Sequence, residues 1–416
     1  MNFPLHAVRA AALIAAGSAL TTAHATDGYF SHGYGIKAKG MGGAATALAQ
    51  DAFAGANNPA SAAFTGGRLD LGVDLFMPDR EMSRTGTGGM LDTSVRSGKR
   101  NFLVPEFGYI QPLSSDMAAG VTVYGNGGMN TTYPGGQLNC GQGPANALCG
   151  SGELGVDLIQ LVVAPTFAYK LNPRHSVGVS PLLVYQAFKA YGLEGFSRMS
   201  VDAGHLTGSG YDYSSGFGLR LGYMGQLSDT VSVGASYSPK VNMSRFKEYA
   251  GLFANGGDFD IPENLSVGVA VKATPQLTLA ADYQRIGYGD VPAIGNAATA
   301  GPLGGSPGGG FGWQNIDVFK LGAQWQMNPQ LSLRAGYTRS DNPVTAANIT
   351  PNILAPGVMK SHFTLGATHA LAKDTELSWS FMYAPRVKVT GPSMLGGTET
   401  VSMRQTALGV QWATRF

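Results

Sequence analysis

Over residues 405–416 the chain alternates strictly in type. Thr406, Leu408, Val410, Trp412, Thr414 and Phe416 fall on one side of an extended strand, and Gln405, Ala407, Gly409, Gln411, Ala413 and Arg415 on the other. Successive side chains of a strand point to opposite faces, so a period of two gives one face suited to hydrocarbon and one suited to water. A wall strand of an outer-membrane barrel has this pattern, here with an aromatic at its end. If the last strand meets lipid on one side, every other wall strand must do so too.

Composition agrees with that solvent. Charged residues make up 13% of the 416 positions, about half the roughly 25% of an ordinary soluble domain. Glycine reaches 60 residues, with 17 tyrosines and 19 phenylalanines, and mean hydropathy is zero, well below that of a helical membrane protein. The net charge of +2 comes without any basic run, so the electrostatic footprint of a nucleic-acid binder is missing. Arg9, an apolar run over residues 10–20 and Ala23-His24-Ala25 form an n-region, h-region and cleavage pattern, predicting a signal peptide over 1–25 and a mature chain from Thr26. The apolar run is too short to cross a bilayer, which needs about 20 residues. Export exposes the two cysteines, Cys140 and Cys149, to an oxidising compartment, and no histidine lies near them, so a disulfide closing a surface loop is expected rather than a metal pair.

Alternation recurs in fourteen segments, from 68–76 through 102–110, 118–124 and 156–169 to 375–386 and 403–416. Leu69, Leu71, Val73 and Leu75 form one apolar face; Phe217, Leu219, Leu221 and Tyr223, then Phe319, Leu321, Ala323 and Trp325, form others. Asp70, Arg220, Lys320, Gln324 and Ser378 lie on the opposite faces. A soluble sandwich would alternate as well, but the connections differ in kind. Six gaps are turn-like, as at 113–116, 172–175 and 328–330, while the others are long and glycine-rich. The predicted fold is all-β: a 14-stranded antiparallel transmembrane β-barrel over 66–416 with both ends periplasmic. Residues 26–65 do not alternate, are small and sparsely charged, and have a helix-compatible stretch near 43–50. They are expected to fill the lumen as a hatch, or plug, containing short helices, rather than to form a disordered tail.

Gly28-Tyr29-Phe30, Gly40-Met41-Gly42-Gly43-Ala44, Asp51-Ala52, Asn58-Pro59-Ala60 and the stretch 120–128 carry a more specific likeness. With them the chain resembles the FadL family of outer-membrane transporters for long-chain fatty acids and other hydrophobic compounds, including its aromatic-hydrocarbon branch. The resemblance implies that Asn58, Pro59 and Ala60 belong to the hatch and that the third strand kinks inward at Gly125, Asn126, Gly127 and Gly128. Three glycines in four positions suit such a bulge. It further implies passive uptake: capture among outer loops 126–155 and 188–213, displacement of the hatch, and lateral exit beside the third strand. Arg220, Lys320 and Arg334 face inward, where they suit a carboxylate head group, though lumen pairing with Glu106 or Asp282 is the more ordinary role for such charges. Fatty acid and neutral hydrocarbon both remain open.

Two other classes fit less well. A lipase-like barrel is suggested by Gly304-Gly305-Ser306-Pro307-Gly308, but the residue after the serine must offer an N–H to the oxyanion, and Pro307 has none. A general porin would have a strongly charged lumen and no plug. The expected protein is a non-enzymatic monomer of the Gram-negative outer membrane, without cofactor, metal or nucleic acid. Its partners are a hydrophobic ligand, outer-membrane lipid, lipopolysaccharide and the barrel-assembly machinery.

Overall fold

The structure, a computed structural model, describes residues 27–141 and 143–416; the expected signal peptide and Thr26 lie outside the described residues. Fourteen antiparallel strands form a closed wall. In chain order they are β1 (Arg68–Thr85), β2 (Phe102–Pro112), β3 (Met117–Tyr133), β4 (Leu154–Asn172), β5 (His175–Tyr191), β6 (Asp212–Gln226) and β7 (Val231–Ser238), followed by β8 (Asn264–Lys272), β9 (Leu277–Ile286), β10 (Ile316–Asn328), β11 (Leu331–Ser340), β12 (Ser361–Ala370), β13 (Thr375–Pro392) and β14 (Thr398–Arg415). A short strand, Thr93–Arg96, folds back on the upper end of β1.

Closure is made by β1 against β14, in register from Arg68↔Arg415 to Thr85↔Thr398. It closes the wall on itself, as strands in hydrocarbon require, since an unpaired N–H there has no water to bond. No described helix is long and apolar enough to cross a membrane; the strands do so. Leu71, Val73, Phe217, Phe319, Leu321, Leu408, Val410 and Trp412 are exposed on the outer face, while Asp70, Arg220, Lys320, Gln405 and Gln411 are buried in the lumen. Phe416 ends the chain beside Gly67 and stacks on Tyr109 at 5.7 Å.

Several strands run further than their alternation predicts. β1 continues to Thr85, β3 to Tyr133 and β13 to Pro392, and β14 begins at Thr398. Above the lipid band the outer face turns polar, so pairing continues where the apolar signal stops.

Residues 27–65 lie inside the wall and are almost wholly buried. Their helices are α1 (Ile36–Gly40), a 3-10 turn (Pro59–Ser61) and α2 (Ala62–Thr65). The stretch 43–50, expected to favour helix, is irregular. Gly43 takes φ +80, and a Cβ there would meet the His32 carbonyl at 1.7 Å, so the chain turns sharply instead of continuing α1.

Candidate functional site

The plug is seated in sockets made by missing side chains. Three cross-strand pairs of lumen-facing glycines, Gly178↔Gly222, Gly234↔Gly268 and Gly322↔Gly336, occur in the wall. A Cβ on Gly222 would meet Asn58 Oδ1 at 2.2 Å, and one on Gly178 would meet Ala60 N at 2.4 Å. The second pair seats Thr46 and the third Met41. Asn58 accepts from the Ala60 N–H (3.1 Å) and donates through Nδ2 to the carbonyls of Thr46 (2.8 Å) and Tyr223 (2.9 Å). One amide side chain thus caps the 3-10 turn, joins two parts of the plug and anchors both to β6. Pro59 follows it at the first helical position, where its missing N–H costs nothing.

Ion pairs add to this seat. From α1, Lys39 Nζ reaches Asp74 (3.1 Å) and Glu106 (2.9 Å), and Lys37 pairs with Glu376, which also holds Arg68 (2.7 Å). Burial alone would push the Lys39 ammonium down, but Asp74 and Glu106 outweigh it and hold it up at about 12. The three inward cations singled out from sequence meet the plug or the wall. Arg220 donates to the carbonyls of Gly55 and Ala56 and to Tyr124 Oη. Lys320 donates to the His32 carbonyl (3.0 Å) and lies 3.7 Å from Asp27. Arg334 donates to Gln324 and Thr368. Glu106 pairs with Lys39 instead, and Asp282 accepts the N–H groups of Ala45 and Thr46.

In β3 the stretch Gly125, Asn126, Gly127 and Gly128 is where the ladder changes. Pairing with β4 shifts by one residue between Gly125 and Gly127, leaving Asn126 as the bulge. Pairing with β2 stops at Phe107↔Val123. Above that point residues 124–131 are buried on both faces, whereas a wall strand has one face in lipid. The plug supplies a new partner: Phe30 bridges to Gly127, Gly128 N–H donates to the Tyr29 carbonyl (3.2 Å), and Ser31 N–H donates to the Asn126 carbonyl (3.3 Å). Any Cβ on Gly127 would meet that Tyr29 carbonyl at 2.1 Å. A small cavity lies against the bulged segment, lined by Phe76, Pro78 and Arg80 of β1, by residues 128–130, and by Trp313 and Met403.

Tyr288, in the outer loop after β9, holds the plug tip from above. Its hydroxyl accepts the N–H groups of Tyr29 and Phe30 (3.1 Å each) and donates to the Asp27 carbonyl (2.5 Å). Gly28 lies directly beneath the ring at φ +68, where a Cβ would come within 2.5 Å of it. Trp313 meets Tyr288 edge-on at 5.1 Å and donates through Nε1 to Asn352. Nothing in the local sequence marks Tyr288, since its partners lie about 260 residues away.

The outer loops form a pocket lined by apolar side chains such as Leu148, Phe188, Met199, Phe253, Phe311 and Leu354, with no ionisable residue among them. Loop 134–153, which supplies Leu148, is closed by the Cys140–Cys149 disulfide, Cα–Cα 5.7 Å. A buried knot ties it to the barrel: Arg84 pairs with Glu399 at 2.6 Å and donates to the Ala147 carbonyl at 2.8 Å, and Thr350 donates to the same glutamate.

A closed barrel of amphipathic strands, a keyed plug and an apolar cavity at the outer end together define a plugged outer-membrane channel. The chain belongs to the outer membrane protein transport family OMPP1/FadL/TodX, whose model matches residues 12–410. Solved structures share the fold. The toluene transporter TodX of P. putida superposes with a TM-score of 0.70 at 20% identity over 92% of this chain and 99% of its own. The toluene transporter TbuX of Ralstonia pickettii gives 0.65 at 19% over 92% and 99%, and a FadL homologue of Pseudomonas aeruginosa 0.68 at 14% over 94% and 100%. Among curated proteins none matches the sequence.

Proposed function

We propose that this protein admits small neutral hydrophobic molecules, of the monoaromatic hydrocarbon type, through the outer membrane without coupling to an energy source. The observation that carries the substrate class is the apolar lining of the outer pocket, which has no ionisable residue. A carboxylate there would lose its hydration with no cation to replace it. The inward cations Arg220 and Lys320 are already engaged by plug carbonyls. Two of the similar structures are toluene transporters, which favours the same reading.

A captured ligand next meets the Tyr288 and Trp313 rings, whose partners are the plug tip and the bulged part of β3. Moving the tip frees the carbonyl of Tyr29 from Gly128 and opens the path to the cavity beside β3. There the interrupted β2–β3 ladder offers a sideways exit into the membrane, so a water-insoluble solute avoids the periplasm. Uptake of labelled toluene and labelled oleate, by cells with and without the protein, tests the substrate class: protein-dependent uptake of toluene is expected, and uptake of oleate alone would overturn it. Gly128→Val, whose side chain narrows the cavity beside β3 that Gly128 lines, tests the exit. It should cut toluene uptake at least about tenfold while the barrel still folds, because overpacking here costs about 1–3 kcal/mol locally. Unchanged uptake by that variant would refute sideways exit.

A further inference from the structure

The outer face of β1, β13 and β14 carries a charge cluster that neither the plug nor the outer cavity uses. Asp79 and Glu81 of β1 point away from the lumen. Asp79 is met by Arg404 Nε of β14 (3.0 Å), Arg386 Nη2 of β13 (2.6 Å) and Arg96 Nε of the short return strand (3.5 Å). Glu81 is met by Arg386 Nη1 (3.1 Å) and by Arg96. Exposed Lys388 lies next along β13. Four cations therefore face two carboxylates. By contrast, at the outer end of β9 and β10 one cation meets one carboxylate, Arg285–Asp317 at 3.0 Å.

Height decides what this cluster faces. At about 3.3 Å per residue and a tilt of about 40°, the run from Arg68 to Asp79 climbs roughly 28 Å, against an apolar band about 25 Å tall. Directly below are Leu75, Leu408, Phe381 and Tyr383, the last rows of the lipid-facing surface. The cluster thus stands where acyl chains give way to head groups. Side chains of Arg96 and Arg404 remain 47% and 54% exposed. A guanidinium carries five donors, and Arg404 uses its Nε on Asp79 while the carboxylates fix the fan of arginines.

We propose that Arg96, Arg386, Lys388 and Arg404 form a binding site for the sugar-linked phosphate of an outer-leaflet glycolipid. Guanidinium groups match phosphate oxygens in pairs, with charge-assisted bonds, and the apolar rows below receive the acyl chains of the same molecule. β1 is also the neighbour of β2, so the bound lipid stands one strand away from the interrupted ladder.

The test uses the purified full-length barrel in detergent, with its melting temperature followed against bisphosphorylated lipid A, dephosphorylated lipid A and inorganic phosphate. Bisphosphorylated lipid A is expected to raise the melting temperature, and the other two are not. Arg404→Gln, which leaves Asp79 with Arg386, should bind the lipid about tenfold more weakly, and Arg96→Gln with Arg404→Gln should abolish the shift. Arg285→Gln should leave it unchanged. An equal shift from dephosphorylated lipid would assign the effect to acyl chains, an equal shift from inorganic phosphate would remove the lipid from the site, and an undiminished shift in the double variant would remove the arginines; each overturns the proposal.

Discussion

A single side chain's absence decides where the plug sits. Gly222 has no Cβ, and Asn58 Oδ1 occupies the space that one would take, 2.2 Å away. Gly222→Val is therefore expected to unseat residues 58–60 without opening the wall, since β6 keeps its pairing with β5 and β7. Cells carrying it should become sensitive to large hydrophobic antibiotics, measured as inhibitory concentration, while the barrel keeps its heat-modifiable mobility on gels. Asp27 sets a second expectation. Burial pushes its carboxyl from the usual 3.8 up to about 6, with Lys320 opposing. A docked acid with a raised value holds a proton that the free acid has already released, so protonation favours docking. The seat of the tip is strongest below about pH 4, weakens as pH rises through the window to about 6, and is weakest above it. Single-channel openings in planar bilayers should be more frequent at pH 7 than at pH 5, and Asp27→Asn should remove the difference. The sequence displays these glycines as small lumen residues at the right register. It does not display their occupants, because contact between residues 58 and 222 is created by closing the wall around the plug.

Among the elements, β3 is the informative case. Its lower part alternates and is legible as a strand; above Asn126 both faces are buried, so period-two patterning vanishes although pairing continues to Tyr133↔Leu154. A scan for amphipathic alternation finds strands in lipid and is blind to a strand that has left it. The glycine content still marks the departure point. The loop after β9 is opaque for another reason, since the role of Tyr288 depends on three backbone groups of the plug. Tyr288→Phe keeps the edge-to-face contact with Trp313 and deletes those hydrogen bonds. At about 0.5–1.5 kcal/mol each, their loss should raise the frequency of tip release at least about tenfold, read as basal conductance or as toluene leak in proteoliposomes. A conductance equal to that of the unaltered protein would mean that the aromatic packing alone holds the tip.

For the whole molecule, the outer loops, the plug and the bulged strand form one connected body. The apolar cavity shares its walls with the disulfide loop, that loop hangs on Arg84 and Glu399, and Tyr288 leads from the neighbouring loop to the plug. Cys140→Ser with Cys149→Ser should cost the loop about 2–3 kcal/mol of chain-ordering stability. Capture should weaken and protease cleavage within 134–153 should speed up, with the barrel intact; both are measurable on whole cells. The barrel, its strand number and its turn asymmetry are legible from the chain because lipid imposes one pattern on every strand. The cavity is not, since its lining comes from loops that share no period and meet only when the wall closes.

The three glycine pairs also constrain how the molecule is made. Each socket exists only when two neighbouring strands are in register, and the three lie on separate hairpins spread from β5 to β11. A slip of one residue on any of these strands would turn a side chain into the socket and leave a loop of plug without a berth. The seat of the amino-terminal segment, although that segment is synthesised first, is complete only when six strands have paired in register. A channel built out of register would therefore lack the berths that close it.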